Sequence, residues 1–422
     1  GQSAKGIAQA VHGLLGGNLS AKIQVTDKWR LPGFVPHEKV SVPGFDRPGT
    51  GHPPPPLSAR FAAVLHLKGM LLRCLLLLAA ALPLLAEVTP AQKEALEKAA
   101  ARHMSARLIP ALSVSVYNGG GPIWEAAWGF SDLENHVPAT PRTVFRLASI
   151  SKPFTSVAAL LLVRQGRLDL DAPVQNYVRF PQKRWPVTTR LLLANQAGIR
   201  HYKGREINST AHYDSVVEAL SIFAPDPLVH EPGTKYLYST YGFNLACAAV
   251  EKAAGIPYQD WVREQILAPA GIQSMQTDHV HHIIPHRARG YRRSKTGQIE
   301  NCVIVDTSNK IPGGGWVANA SDLVRFARAL MEGNLLPPEA LEMMWCPGTL
   351  RDGKPTHYGL GWNVQNENGR KIVQHAGGQP GTSTHLLLVP SRRIAISVLA
   401  NLELAGAIEL AREFARILEQ TE

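Results

Sequence analysis

Strand-like and helix-like patterns alternate along this chain in an order that restricts its fold. Apolar residues recur with a period of two near both ends of the region after residue 86, and helical patterns lie between. The strand-like segments are 111–117, 123–128, 371–375, 384–389 and 394–399. The first two are separated by a glycine-rich turn, which predicts a hairpin. An α+β fold with one antiparallel sheet built from both ends of the region is expected.

Three helices are predicted around this sheet. Thr89-Pro90-Ala91-Gln92 has a Thr cap, an early Pro and a Gln three residues after the cap, which predicts a helix to about Ser105. The strongly apolar segment 154–163 predicts a buried helix, and 405–418 an amphipathic one. The predicted domain is 87–422, with a sheet part at about 87–148 and 305–422 and a helical insert subdomain at about 149–304.

The first 86 residues differ in composition from the rest. Residues 1–69 hold eight prolines, ten glycines and no methionine, and are predicted to be poorly ordered and possibly non-native. From Met70, a short basic start and an apolar run to Ala86 predict a cleaved signal peptide of 70–86 and an exported, periplasmic or secreted bacterial protein. The run is too short for a stable membrane span. The alternatives are a buried helix of a longer protein and, without cleavage, a membrane anchor.

The charge and cysteine content exclude further classes. The net charge is +11, but residues 1–86 hold nine Lys/Arg and three Asp/Glu and so supply +6 of it. The remaining +5 gives no support for nucleic-acid binding. Four cysteines are too few for a disulfide framework, and the three after residue 86 (Cys247, Cys302 and Cys346) are predicted to be buried thiols.

One motif carries a catalytic hypothesis. Ser149-Ile-Ser-Lys152 stands at the entry to the buried helix, with its Ser and Lys one helical turn apart. The lysine amine can accept the serine proton if burial lowers its pKa, and the N–H groups of the helix start can stabilise an oxyanion. Taken alone, the motif would be read as a helix cap followed by a surface lysine. Tyr238-Ser-Thr240 and His375-Ala-Gly377-Gly378 follow in the chain, and His375 ends a predicted strand.

This order of motifs resembles the penicillin-recognising serine enzymes. The chain is similar to their branch that contains class C β-lactamases, D-alanyl-D-alanine peptidases and family VIII carboxylesterases. The similarity begins near Glu87, and the segment from Asp226 to Asn244 is most similar to a mitochondrial branch in animals. The resemblance implies a β-lactamase/transpeptidase-like fold, with an antiparallel sheet flanked by N- and C-terminal helices.

The resemblance also implies roles for individual residues. Ser149 matches the acylated nucleophile, Lys152 its proton acceptor and Tyr238 the tyrosine that relays protons, although which of the last two is the base stays open. The oxyanion donors would be the N–H groups of Ser149 and Gly378. No metal or cofactor is implied. The residues expected to contact substrate are Thr240, His375, Gly377, Gln196 and Trp316, with core packing an equal reading for Trp316.

Two departures from the family pattern bear on substrate. His375 stands where a Lys is usual, and Thr240 replaces an Asn. A neutral His attracts a substrate carboxylate less than Lys does, and Thr offers fewer hydrogen bonds than Asn. The expected activity is therefore carboxylesterase action on short-chain esters, with β-lactams as a side activity. The alternatives are a dedicated β-lactamase, a D-amino-acid peptidase (DD-peptidase) and a catalytically silent scaffold. The expected partner is a small ester or amide, and the oligomeric state stays unknown.

Two clusters, one of histidines and one of arginines, are interpreted as loop residues and not as binding sites. Four histidines crowd one loop without a framing carboxylate or cysteine pattern, so no metal site is predicted. Four arginines follow them, and a solvated loop is favoured over a polyanion site. The two sets are His279, His281, His282 and His286, and Arg287, Arg289, Arg292 and Arg293.

Overall fold

The computed structural model describes residues 87–419. The predicted disorder of 1–69 and the predicted signal peptide of 70–86 lie outside the described residues. Export therefore stays a prediction. Within the described range, none of the helices combines the length and the apolar character needed to cross a membrane.

Twelve strands are present in the described part of the chain. Seven of them form one antiparallel sheet in the order β3-β2-β1-β12-β11-β10-β9, three form a small sheet in the order β4-β8-β5, and β6 and β7 form a hairpin. The strands are β1 (Ala111–Asn118), β2 (Trp124–Asp132), β3 (Val137–Pro138), β4 (Phe145–Arg146), β5 (Gln276–Thr277), β6 (Tyr291–Arg293), β7 (Ile299–Asn301), β8 (Trp316–Ala318), β9 (Asn363–Glu367), β10 (Arg370–Gln379), β11 (Thr382–Val389) and β12 (Ile394–Ala400).

Ten α-helices accompany the strands between residues 87 and 419. They are α1 (Pro90–Arg107), α2 (Ser151–Arg164), α3 (Thr189–Leu193), α4 (Val216–Ala219), α5 (Thr240–Ala254), α6 (Tyr258–Val262), α7 (Ile311–Gly314), α8 (Ala320–Met331), α9 (Pro338–Met344) and α10 (Ala407–Glu419). Short 3₁₀ helices include Ala148–Ile150 and Ser308–Lys310, and Arg263–Leu267 is a π-helical turn.

The first and last long strands of the chain pair with each other in the middle of the sheet. β1 pairs with β12 in antiparallel register, with Leu112 opposite Ala400 and Asn118 opposite Ile394. Leu112, together with the alternate β1 residues that follow it, packs in one buried cluster with residues of α1 and α10. The opposite face of β1 and β12 contacts α8. Both faces are thereby removed from water, at about 1.5–3 kcal/mol for each fully buried large apolar side chain.

The predicted α+β architecture is confirmed. The predicted capping box is present: Thr89 and Gln92 exchange hydrogen bonds at the start of α1. β10 runs to Gln379, past the predicted end at His375, because residues 375–379 pair with β11. The prediction of buried thiols holds for Cys247 and is wrong for Cys346, which is exposed at the end of α9, while Cys302 is half-buried.

Candidate active site

The serine of the Ser-x-x-Lys motif stands on a constrained turn. Ser149 lies in the 3₁₀ helix just before α2, and the residue before it, Ala148, has a φ of +49°, a conformation that is unfavourable for a residue with a Cβ. The Leu147 N–H donates to the Trp316 carbonyl at 2.8 Å, and the Thr384 hydroxyl donates to the Leu147 carbonyl at 2.9 Å. The small sheet and β11 therefore hold the turn that presents Ser149.

Lys152 is completely buried beneath Ser149. Its Nζ lies 3.0 Å from Ser149 Oγ, 3.1 Å from Thr240 Oγ1 and 2.7 Å from the Gly313 carbonyl oxygen. Burial holds the pKa of Lys152 well below its usual value, and the positive charge of Lys310 lowers it further. A neutral amine has two N–H donors and one lone pair. Thr240 and Gly313 can accept the two donors, which leaves the lone pair for the Ser149 proton.

Tyr238 approaches the same serine from the start of α5. Its hydroxyl donates to Ser149 Oγ at 2.7 Å, and its ring lies 4.7 Å from Lys152 Nζ. Burial raises the pKa of Tyr238 well above the ordinary value of a phenol. The Tyr238 hydroxyl is therefore protonated and donates to Ser149, whereas the lowered pKa of Lys152 favours an amine that can accept a proton. The geometry favours opposite roles for the two residues, a question that the motif alone left open.

His375 is buried and uncharged. Its Nδ1 donates to the Ala376 carbonyl at 2.7 Å, and its Nε2 accepts from the Tyr358 hydroxyl at 2.8 Å. Burial, and the proximity of Lys152, lower the pKa of His375 to about 3. This tautomer leaves neither ring nitrogen free, so at neutral pH His375 offers no positive charge to a substrate carboxylate.

Two glycines of β10 have different surroundings. A Cβ on Gly377 would lie 2.2 Å from the Leu147 carbonyl oxygen and 2.2 Å from Thr384 Oγ1. β10 therefore approaches the serine turn so closely that only glycine fits at position 377. Gly378 is exposed, and a Cβ on it would meet nothing within 4 Å. Its backbone thus borders open space beside the turn that carries Ser149.

The other three residues predicted to contact substrate have different surroundings. Thr240 lies in the site, where its hydroxyl is bonded to Lys152. Gln196 is buried against the loop at Gly348, since a Cβ there would lie 2.4 Å from Gln196 Nε2. Trp316 is buried in β8, and its ring packs edge-on against Tyr258 at 6.0 Å. The structure thus packs Gln196 against the Gly348 loop and Trp316 against Tyr258.

A cavity of about 370 Å³ adjoins Tyr238. Most of the side chains that line the cavity are aromatic or otherwise uncharged, and the guanidinium of Arg412 in α10 also lines it. That guanidinium is already 3.0 Å from Gln365 Oε1 and 3.2 Å from a Glu367 carboxylate oxygen. The lining residues include Tyr236, Tyr238, Tyr358, His375, Ala376 and Ile408.

Three site residues were not recognised from the motifs. The imidazole of His201 accepts the Thr240 N–H at 3.2 Å and meets the Tyr238 ring edge-on at 5.5 Å. Tyr358 fixes His375, and Gly313 provides the carbonyl that binds Lys152. None of the three catalytic motifs contains His201, Tyr358 or Gly313, so their place in the site follows only from the folded chain.

The two clusters seen in the sequence have structural partners. Arg287, Arg289 and Arg292 each pair with a carboxylate, of Asp278, Glu134 and Glu300 respectively. The histidine loop packs its rings against His212, whose Nδ1 lies 2.7 Å from Asp306. Within residues 87–419, no group of three or more His, Cys, Asp or Glu is arranged to hold a metal ion.

Comparison with known proteins identifies the family of this chain. The sequence profile of the β-lactamase family matches residues 96–418. The chain is 30% identical to the human mitochondrial serine β-lactamase-like protein LACTB, over 72% of this chain and 76% of that protein. This chain belongs to the β-lactamase family. It is also 31% identical to penicillin-binding protein 4* of Bacillus subtilis, over 69% of this chain and 68% of that protein.

A solved structure has the same overall fold as this chain. The D-amino acid amidase of Ochrobactrum anthropi, complexed with L-phenylalanine amide, superposes with a TM-score of 0.70 at 22% identity. The superposition covers 78% of this chain and 99% of the amidase. The β-lactamase/transpeptidase-like fold is therefore confirmed, and the chain is a serine hydrolase of the β-lactamase family.

Proposed function

We propose that this β-lactamase-family protein is a carboxylesterase that forms an acyl-enzyme on Ser149. The observation that carries the proposal is the position of Ser149 Oγ between the buried Lys152 amine at 3.0 Å, whose pKa is lowered by burial, and the Tyr238 hydroxyl at 2.7 Å. A serine hydroxyl becomes a strong nucleophile when an adjacent base takes its proton. Lys152 is in place to do so, and Tyr238 is in place to donate.

The proposed reaction begins with transfer of the Ser149 proton to Lys152 Nζ. Ser149 Oγ then bonds to the ester carbonyl carbon, and the carbonyl oxygen becomes an oxyanion that the N–H groups of Ser149 and Gly378 stabilise. On collapse, the bond to the leaving oxygen breaks, and that oxygen takes the proton of Tyr238. The Lys152 ammonium returns its proton to the tyrosine, and water attacks the acyl-enzyme by the reverse sequence.

The preference for esters rests on the surroundings of His375 and Thr240. Both nitrogens of His375 are engaged in hydrogen bonds and the ring is neutral, so position 375 provides no cation to pair with a carboxylate. The Thr240 hydroxyl accepts from Lys152 and so supports the base. A short-chain ester requires neither a cation nor an amide-binding side chain. The aromatic cavity beside Tyr238 suits a small uncharged leaving group.

A second candidate is hydrolysis of carboxylate-bearing amides, including β-lactams. The observation that favours it is Arg412, whose guanidinium lines the same cavity as His375. Glu367 lies 3.2 Å from this guanidinium and offsets its charge. For this reason the ester reading is preferred. Similarity to penicillin-binding protein 4* supports testing both substrates.

The deciding experiment compares p-nitrophenyl butyrate and nitrocefin turnover by the wild-type protein, Ser149→Ala and Ser221→Ala. Ser221 is an exposed serine that bonds the Glu218 carbonyl, so its variant is the matched control. The carboxylesterase proposal predicts ester turnover far above nitrocefin turnover, lost only in Ser149→Ala. Dominant nitrocefin turnover would support the second candidate. Activity that survives in Ser149→Ala would refute both, and no labelling of Ser149 by a fluorophosphonate would indicate a silent scaffold.

A further inference from the structure

A second buried lysine lies close to the site and has no role in the proposed reaction. Lys310 ends the 3₁₀ helix Ser308–Lys310 and is 1% exposed. Its Nζ donates to the Ile207 carbonyl at 2.8 Å. In the described range 87–419, no carboxylate lies within ion-pair distance of this amine. Burying an ammonium without a counter-ion is costly, so its retention calls for a physical explanation.

Lys310 and Lys152 approach the same short turn, α7. Lys152 donates to the Gly313 carbonyl, while a Cβ on the next residue, Gly314, would lie 3.7 Å from Lys310 Cδ. The two amines also lie over linked aromatic rings. Lys152 is 4.7 Å from the Tyr238 ring and Lys310 is 5.4 Å from the Tyr202 ring.

A single imidazole joins the two tyrosine rings. His201 lies 4.2 Å from Tyr202 and 5.5 Å from Tyr238, measured between ring centroids. Burial, and then the proximity of Lys152 and Lys310, lower the pKa of His201 to about 4. His201 therefore carries no charge at neutral pH and does not screen one lysine from the other.

The charged groups around the pair act mainly on Lys310. Burial and, to a smaller extent, Arg146 of β4 lower the pKa of Lys310, Asp278 and Asp306 oppose this shift, and the resulting pKa is about 8. Arg287 pairs with Asp278, and Glu206 acts on the nearby His201. The groups that contact Lys152 directly are uncharged: Ser149, Thr240, the Gly313 carbonyl and the Tyr238 ring.

We propose that Lys310 is a positioning residue that acts through Lys152: its buried positive charge keeps the Lys152 amine neutral and ready to accept the Ser149 proton. The inference rests on the proposed function, because it assumes that Lys152 is the base. Like charges in a medium of low dielectric constant repel over longer distances than in water. A proton on Lys310 therefore opposes a second proton on Lys152.

The test is the pH dependence of Ser149 labelling by a fluorophosphonate, which reports on nucleophile activation whatever the natural substrate is. Lys310→Met removes the charge and keeps the length of the side chain, and Lys310→Arg keeps the charge. In Lys310→Met the acid limb of the labelling rate should move up by about 0.5–1 pH unit, which is roughly a three- to tenfold slower rate at a pH on that limb. The rate at alkaline pH should stay the same, and Lys310→Arg should follow the wild type.

The outcomes separate the two proposals. An acid limb with an unchanged midpoint in Lys310→Met, with only a lower maximum rate, would overturn the role of Lys310 and leave the proposed function standing. Labelling that persists in Ser149→Ala would overturn the proposed function itself. If Lys310→Met does not fold by circular dichroism, Lys310→Gln gives the same comparison, because it also removes the charge.

Discussion

The imidazole of His375 and the hydroxyl of Tyr358 are joined by a hydrogen bond of 2.8 Å in the interior of the site. Burial lowers the pKa of His375 to about 3, so the ring is neutral at neutral pH. Since Nδ1 donates to the Ala376 carbonyl, Nε2 is then the acceptor. Position 375, where the family pattern has a lysine, thus carries a neutral hydrogen-bonding side chain in this chain. The first prediction follows from this difference.

His375→Lys should increase activity on a β-lactam that carries a carboxylate. A lysine at this position supplies the missing cation, and a charge-assisted hydrogen bond contributes about 1.5–3 kcal/mol. We expect the ratio of nitrocefin to p-nitrophenyl butyrate kcat/KM to rise roughly tenfold or more. His375→Met, which is neutral, is the control. An equal rise in both variants would show that charge is not the cause.

Lys152→Arg should abolish acylation although it keeps a positive charge. An arginine stays protonated at every accessible pH, so it cannot take the Ser149 proton. Loss of a general base lowers rates by about 10²–10⁴-fold. Fluorophosphonate labelling measures the effect, and circular dichroism checks the fold. Substantial labelling of Lys152→Arg would mean that the lysine acts by its charge, and the proposed reaction would have to be revised.

Tyr238→Phe should distinguish good leaving groups from poor ones. The variant keeps the ring but removes the hydroxyl that lies 2.7 Å from Ser149 Oγ. Alkoxide ions require a proton as they leave, whereas p-nitrophenolate does not. We therefore expect a loss of about 100-fold in kcat/KM for ethyl butyrate and a clearly smaller loss for p-nitrophenyl butyrate. Equal losses for the two esters would argue against an acid role of Tyr238.

Gly377→Ala should reduce activity by displacing the serine turn. The new methyl group would lie 2.2 Å from the backbone carbonyl of Leu147, which cannot move without moving Ala148 and Ser149. A displacement of the serine by about 1 Å is enough to lower the rate by about 100-fold. Thermal unfolding should show a lower Tm than that of Gly378→Ala, whose methyl group meets nothing within 4 Å. Similar Tm values for the two variants would contradict the close approach of β10.

Stability should fall as the solution is made acidic. Burial lowers the pKa of His375 and His385 to about 3, whereas the ordinary value is 6.5. Between these values the unfolded chain binds protons that the folded chain does not, so stability is full above about pH 6.5 and is lost as the pH falls towards 3. Tm measured across this range should decline less steeply in His385→Gln than in the wild type. His136→Asn, at an exposed position, should leave the slope unchanged.

The fold could be predicted because its determinants are local. The capping box at Thr89 and the period of two in β1 depend on neighbouring residues, and both appear at the expected positions. The Ser149–Lys152 pair was also recognisable, since one helical turn fixes its geometry. Tyr238 and His375 were assigned through the resemblance to a family, and their contacts became visible only when distant segments came together.

Other features depend on tertiary contacts that no pattern records. The neutral state of His375 follows from Tyr358 and from burial, and neither can be inferred from the residues next to it. The sequence predicts Gln196 and Trp316 as substrate contacts, but in the folded chain they pack against the Gly348 loop and Tyr258. The unpaired burial of Lys310 is likewise a property of the folded chain, because a lysine in a sequence is ordinarily expected at the surface.

The pairing of β1 with β12 has a consequence for biosynthesis. Ser149, the proposed nucleophile, follows β4, while Gly377 and Gly378 belong to β10, which is held in place by β11 and then by β12. A ribosome releases Ser149 long before it releases residues 394–400, so a growing chain carries the nucleophile without the strands that position the rest of the site. We therefore expect hydrolysis to begin only when the last strand has joined the first, and fragments that lack β12 to be inactive.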